Sequence, residues 1–256
     1  MFIDSSIGLK CFLLKCPEEK KQQFKKAEAS LLISVGRDYH EGERMWAMIN
    51  FINKSFNKCN IMVNDSLQRH TLVLYEKGEI NAEQAYLKSI REGKEWVKRN
   101  SCFLDSLEIS YDVYHWNNWL QKKSYIKYRA KIDQLYKEDP EFKKNMDVTI
   151  WEFIKRNKDN VDIVGFDKSY NLCLEYLLEE SSIIMGVWQS YGYDFILYPG
   201  KMIDILKYTH KVLVDKNILY WLHIKFRRNN KELYKKLVKE EAWEEKTNML
   251  KQGCGV

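Results

Sequence analysis

SLLISVGRDYHEGERMWAMINFINKSFNKCNIMVND, residues 30–65, holds one structural unit in outline. The apolar run from Ser30 to Val35 stops at Gly36 and reads as a strand. From Glu43 to Phe56, Met45, Ile49, Ile52 and Phe56 recur at steps of three and four, the spacing of one helix face. Cys59–Val63 is again compact and apolar, closed by Asn64-Asp65. A connection this long cannot be a hairpin turn, so the two strands lie parallel with the helix crossing over one face.

The same alternation continues outward. Asn81–Arg99 reads as a helix, with Asn81 at its N-cap and Glu83 in its first turn. Leu107–Tyr114 alternates as a strand. Trp116–Lys137 and Glu141–Asn157 read as helices parted at Asp139-Pro140, because proline drives its predecessor out of the helical region. Asp167–Ile184 is a further helix and Tyr193–Leu197 a strand. Beyond about residue 212 the pattern thins: Ile218–Phe226 fits strand or helix, and Lys231–Lys246 reads as a charged helix. The expectation is α/β: a single Rossmann-like domain over residues 1–256, a parallel sheet flanked by helices, with a helical extension from about 213. Sites in such sheets form beyond the carboxyl ends of the strands. That places Ser34, Gly36, Asn64, Asp65 and Tyr198 together.

Composition excludes several classes. A balance of 45% hydrophobic and 30% charged residues is that of a globular chain. No run approaches the roughly 18 apolar residues of a membrane span, and no small-residue cleavage site follows the first apolar patch, so a cytoplasmic protein is expected. Cysteines 11, 16, 59, 102, 173 and 254 and the scattered histidines lack ligand spacing, so neither metal nor cofactor is expected. Glycine patterns for a dinucleotide or a P-loop are missing as well. The net charge of +6 is clustered. Lys88, Arg91, Lys94, Lys98 and Arg99 lie on one helix, with Lys88, Arg91 and Lys98 near one face. Lys143, Lys144, Lys155, Arg156 and Lys158 lie on another, and Lys225, Arg227, Arg228, Lys231, Lys235 and Lys236 near the C-terminus. One such run is ordinarily a solvated face; three point toward a phosphate backbone.

Four residues stand out for chemistry. Ser34 is either a turn residue or a nucleophile, and no G-x-S-x-G elbow or assignable Ser/His/Asp set surrounds it. As a nucleophile without a strong base it would need an activated donor, such as the ester joining an amino acid to the tRNA 3′ end. Tyr176 and Glu180, four apart in EYLLEES, share a helix face. They form a surface pair or a holder for a cationic amino group. Tyr198, fixed by Pro199 at a strand end, is a packed aromatic or a placed proton donor. His40, Glu41 and Glu43 lack the HExxH spacing and fit an acidic helix N-terminus.

Taken together, SVGRDYHEGER (34–44), NDSLQRHTL (64–72), the segment 82–100 ending in GKEWVKRN, EYLLEES (175–181) and FILYPG (195–200) resemble the cyclodipeptide synthases. The resemblance implies a Rossmann-like domain similar to the catalytic domains of class I tyrosyl- and tryptophanyl-tRNA synthetases. It implies that two aminoacyl-tRNAs are joined, by a ping-pong route, into a cyclic dipeptide (2,5-diketopiperazine); no cofactor is expected, and the chain is expected to act as a monomer. By position, Ser34 matches the family nucleophile, Tyr176 and Glu180 the pair holding the amino group, and Tyr198 the proton relay. Lys88, Arg91, Lys94, Lys98 and Arg99 match the helix that binds the first tRNA. Arg37, Leu32, Asp65 and Pro199 are expected around the substrate. Tyr198-Pro199, with Arg37 three residues after the serine, resembles the X-Tyr-Pro subfamily. Leu32 stands where the family often has glycine, which implies a small first aminoacyl pocket. Two other readings predict different residues. A non-catalytic tRNA-binding protein of this fold has no reason to keep Ser34, Tyr176, Glu180 and Tyr198 together. A Rossmann-like enzyme on a small soluble substrate would need a phosphate-binding glycine loop.

Overall fold

The computed structural model describes residues 8–213, 219–232 and 235. Its six strands are β1 (Leu9–Leu13), β2 (Glu28–Ser34), β3 (Lys58–Asn64), β4 (Ser110–His115), β5 (Phe195–Tyr198) and β6 (Tyr220–Arg228), in the spatial order β1-β6-β5-β2-β3-β4. The pairs β2–β3, β2–β5, β3–β4 and β5–β6 are parallel, and β1 closes the edge antiparallel to β6. The expected α/β sheet with flanking helices is therefore present. Tyr220–Arg228 is a strand, inside the stretch read as a helical extension. Its Leu222 and Ile224 face one side and Trp221 the other, the period-two habit of a strand packed on both faces. Most of the Lys231–Lys246 expectation lies outside the described residues.

That same period sorts the core. Ala29, Leu31 and Ile33 of β2, Cys59, Ile61 and Val63 of β3, and Phe195 and Leu197 of β5 pack against Met45, Met48, Ile49 and Ile52 of the Gly42–Ser55 helix. Each fully buried aliphatic side chain there contributes roughly 1.5–3 kcal/mol. Leu32, Met62 and Ile196 point the other way, toward Trp116, Trp119, Ile183, Ile184 and Trp188. A residue two beyond Leu32, Met62 or Ile196 emerges on that second face. Those residues are Ser34, Asn64 and Tyr198.

Connections leave β2 and β5 for opposite faces, so these neighbouring strands flank the switch point of the sheet, where open α/β sheets hold their ligands. Over the second face lie the helices Lys123–Glu138, Pro140–Arg156 and Phe166–Ser182, with the last widening into a π-helical turn at Ile183–Val187. Gly186 is required within that turn, since a Cβ there would stand 2.3 Å from the Tyr128 ring. Pro140 occupies the first helical position, and Asp139 caps it by accepting from Glu141 and Phe142 N–H at 2.9 and 3.0 Å. Ala82–Arg99 begins with a complete capping box. Gln84 N–H donates to the Asn81 side chain, and Asn81 N–H donates to that of Gln84, both at 2.9 Å.

The 107–114 strand expectation is shortened to Ser110–His115, with Leu107 and Ile109 packing on the core edge ahead of it. The 116–137 helix is divided into Asn117–Leu120 and Lys123–Glu138. The short helices Arg69–Tyr75 and Lys158–Val164 and the Asp204–Leu213 helix carry no separate expectation from the sequence. Among the described residues no helix is long and apolar enough to cross a membrane.

Candidate active site

The turn after β2 is built residue by residue. Arg37 N–H donates to the Ser34 carbonyl at 3.3 Å, with Gly36 at φ +81°, the left-handed position of a type II turn. A 3-10 turn, Asp38–His40, follows at once and folds the His40 ring back beneath the serine. The His40 Nδ1 lies 3.0 Å from Ser34 N and 3.3 Å from the Ser34 carbonyl oxygen, so the tautomer decides whether it accepts from the first or donates to the second. Burial drives the imidazole down to about 3, with the contact to the Ser34 carbonyl opposing, so it is neutral at physiological pH. In the tautomer with Nδ1 unprotonated, Ser34 N–H is tied to His40 and is not free to stabilise an oxyanion.

The Ser34 Oγ lies 3.1 Å from the Tyr198 hydroxyl, which lies 2.8 Å from that of Tyr39. The Tyr198 ring is held on several sides. Tyr39 and Trp221 meet it edge-on, at centroid distances of 5.9 and 5.6 Å. A Cβ on Gly200 would come within 2.9 Å of it, so Gly200 is what lets the ring fold back. Burial first, then Tyr39, raises the Tyr198 hydroxyl above its ordinary range and keeps it protonated.

These groups line a cavity of about 450 Å³ together with Leu32, Arg37, Asn64, Tyr176 and Glu180. Burial pushes the Glu180 carboxyl up to about 7, opposed by a hydrogen bond from Tyr176. Tyr176 is itself raised well above its usual value by burial and by Glu180. A carboxyl raised in this way and facing a cavity has the chemistry to receive a cation, because a positive charge brought beside it would favour its ionised form. The next residue, Glu179, points away. It is 2% exposed and accepts from both Arg69 terminal nitrogens (Nη1 at 2.9 Å) and from Trp116 Nε1 at 2.7 Å, with His70 Nε2 at 3.5 Å. Burial would raise that carboxyl, but the His70 and Arg69 hydrogen bonds and charges hold it at about 2.

Of the residues selected from sequence, Ser34, Tyr176, Glu180, Tyr198, Arg37 and Leu32 share this cavity. Two expected neighbours of the substrate are elsewhere. Asp65 is buried behind the wall, its Oδ1 accepting from Ser66 and Trp116 N–H at 2.7 and 3.1 Å and its Oδ2 lying 2.6 Å from His115 Nδ1. A Cβ on Gly93 would overlap Asp65 at 2.4 Å, so this carboxylate packs directly beneath the basic helix. Pro199 lines an outer depression with Asp38, Tyr39, Glu41 and Glu43. Glu41 and Glu43 serve the scaffold: Glu41 binds Arg99 and Asn100, while Glu43 binds Arg228 and Leu9 N–H.

The cations of the basic helix fall into two sets. Lys88 is turned to Glu76 at 2.6 Å, and Arg99 to Glu41 at 2.6 Å. Arg91, Lys94 and Lys98 are exposed along one stripe and make no ion pair among the described residues. Arg156 and Lys201 also line the cavity. Arg156 belongs to the second basic run, whereas Tyr39, His40 and Lys201 were outside every site expectation. Only the hydrophilic string around residues 37–41 hinted at Tyr39 and His40. Among the described residues no group of three or more His, Cys, Asp or Glu side chains could hold a metal ion.

A structure of a CDPS from Fluoribacter dumoffii superposes with a TM-score of 0.80 at 30% identity, covering 86% of this chain and 99% of that one. The structure of a cyclodipeptide synthase from Candidatus Glomeribacter gigasporarum bound to Phe-tRNAPhe aligns with a TM-score of 0.62 at 19% identity, over 80% of this chain and 91% of that one. A Mycobacterium tuberculosis protein, whose structure relates cyclodipeptide synthetases to type I tRNA synthetases, shares the fold at 11% identity and a TM-score of 0.61, over 86% and 94% of the two chains. No curated protein sequence matches. The family model described as cyclodipeptide synthase matches residues 19–187, most of the chain, and the chain therefore belongs to the cyclodipeptide synthase family.

Proposed function

We propose that this chain is an aminoacyl-tRNA-dependent cyclodipeptide synthase of the X-Tyr-Pro type, working as a cytoplasmic monomer without cofactor. One observation carries the reading: the Ser34 hydroxyl and the Tyr198 hydroxyl, 3.1 Å apart, open into the same cavity as Glu180 and Tyr176. The Ser34 Oγ attacks the carbonyl of the first aminoacyl ester. The bond to the tRNA ribose breaks, the ribose oxygen takes up a proton, and the aminoacyl group rests on serine. Exchange of one ester for another needs little leaving-group activation, which is why a serine without a strong base suffices. Glu180 and Tyr176 hold the ammonium of that group. The amino nitrogen of the second aminoacyl-tRNA then displaces Ser34 Oγ, forming a peptide bond, and Tyr198 returns the proton to the serine. The dipeptide's free amino group finally attacks the remaining ester, closing the ring and freeing the second tRNA.

Arg37 supports the turn that presents Ser34 and places a positive charge at the cavity mouth. Arg91, Lys94 and Lys98 form the tRNA-facing stripe. The catalytic residues of the resemblance support this reading over a tRNA-binding protein without activity, since all four face one cavity.

The test is Ser34→Ala with tRNA charged with the twenty amino acids. Mass spectrometry is expected to show no aminoacyl-enzyme and no cyclic dipeptide, with tRNA affinity nearly unchanged. Product formation at the wild-type rate would overturn the assignment. The same wild-type product analysis reads out Leu32, which is 3% exposed on the cavity wall and favours a small first residue.

A further inference from the structure

We propose that Tyr39 is the outer member of a hydroxyl chain, Ser34–Tyr198–Tyr39, through which protons leave the cavity during catalysis. The proposal rests on the function proposed above, whose chemistry makes an exit necessary. Two aminoacyl esters entering as ammonium ions carry three N–H protons each. The product keeps one on each amide nitrogen, and each released tRNA hydroxyl takes one. Two protons per cycle must therefore reach solvent.

The cavity offers few takers. Among its described lining residues Glu180 is the only carboxylate, no histidine is present, and the other charged side chains are Arg37, Arg156 and Lys201. Glu180 is occupied by the ammonium it holds. His40, the histidine nearest the serine, is fully buried, and its Nδ1 is engaged by the Ser34 backbone. What does leave the reacting atoms is the line of hydroxyls, with steps of 3.1 and 2.8 Å. Tyr39 lines both the cavity and the outer depression, where Asp38, Glu41 and Glu43 are found.

Each step balances. An ammonium proton passes to the Tyr198 oxygen as the Tyr198 proton passes to Tyr39, and the Tyr39 proton passes to water. Every oxygen gains one proton and gives one up, with no change of oxidation state. Because burial and Tyr39 oppose ionisation of Tyr198, the chain works through neutral hydroxyls, with no standing tyrosinate. Tyr39 touches neither substrate nor serine in this scheme. It acts through Tyr198 and is a positioning residue.

The test compares Tyr39→Phe, Tyr198→Phe and the double variant, using tRNA charged with the twenty amino acids, in mixtures of H2O and D2O. The expected result for Tyr39→Phe is a kcat lower by about 10- to 100-fold with KM little changed. The rate is expected to depend on deuterium fraction along a curve in the wild type, where several protons move together, and along a straight line in Tyr39→Phe. The double variant is expected to be no slower than Tyr198→Phe alone. A Tyr39 that merely packs would leave the wild-type curve in the variant, and that result, like a wild-type kcat, would overturn the proposal. Mass analysis of acyl-Ser34 separates the two readings. An acyl-enzyme in Tyr39→Phe with wild-type turnover removes only the proton path; its absence from the wild type removes both.

Discussion

Glu179 and Glu180 are consecutive on one helix and live in opposite environments. Glu179 is enclosed by Arg69, His70 and Trp116 and is held at about 2. Glu180 faces the cavity beside Tyr176 and is pushed to about 7. The difference comes from one step of about 100° around the helix axis, which turns one side chain into a satisfied ion-pair cluster and the other toward the cavity. The first carboxylate ties the Phe166–Ser182 helix to the start of the Arg69–Tyr75 helix and to Trp116 after β4. The second is left short of a partner, which is what a cation receptor requires. Neighbouring residues with the same side chain are thus given opposite environments, one closed by partners and one facing the cavity of the proposed reaction.

Three experiments press on this contrast. Breaking the buried side has the largest effect: Glu179→Ala strands the Arg69 charge, and the unfolding free energy is expected to fall by about 3–5 kcal/mol in denaturant titration. A loss below about 1 kcal/mol would mean that the cluster is not a structural anchor. On the cavity side, Glu180→Gln keeps the shape and removes the charge, and kcat/KM is expected to drop about 100-fold, worth roughly 2.7 kcal/mol. Its pH signature has a definite sign. A carboxyl raised from 4.5 to about 7 adds stability below pH 4.5 that is lost as pH rises through 7. The wild type is therefore expected to weaken relative to Glu180→Gln between those values, by on the order of 3 kcal/mol, and to run parallel above. For Glu179, lowered to about 2, the contribution is present above pH 4.5 and disappears as pH falls toward 2. If the Glu180 variant and the wild type keep a constant difference from pH 4.5 to 7, the contrast fails.

The smallest effect belongs to the surface. Replacing Arg91, Lys94 and Lys98 with Gln is expected to weaken binding of every aminoacyl-tRNA alike and to reduce the salt slope by about 0.9 for each phosphate left without its cation. Lys88→Gln is expected to do less, because that lysine already faces Glu76. A larger drop in affinity for Lys88→Gln than for the triple variant would refute this division of the helix.

Much of the fold was legible because its strands are short alternating or apolar runs and its helices carry caps. Asn81, Asp139 and Pro140 act locally, and local signals survive in a one-dimensional reading. Strand β1 was not legible, since its partner β6 lies far along the chain and the pairing has no local mark. In the site, Ser34, Tyr198 and the Tyr176/Glu180 pair stood out by their placement at strand ends and on one helix face. Asp65 seemed equally well placed at the end of β3, yet Ser66, Trp116 and His115 occupy its oxygens. Lys88 and Arg99 read as part of a basic face, and carboxylates from outside the helix claimed them.

By itself the sequence determined the alternation of strands and helices, the strand that ends at Ser34, and the family to which the motifs point. These follow from spacing and side-chain type, which are properties of neighbours along the chain. Only the tertiary structure decided that Tyr39 and Tyr198, far apart in sequence, meet at 2.8 Å, that His40 holds the serine's backbone, and that Glu179 is consumed while Glu180 is left open. Those outcomes depend on which distant groups reach a side chain first and on how much water they displace, and burial and charge are set in space.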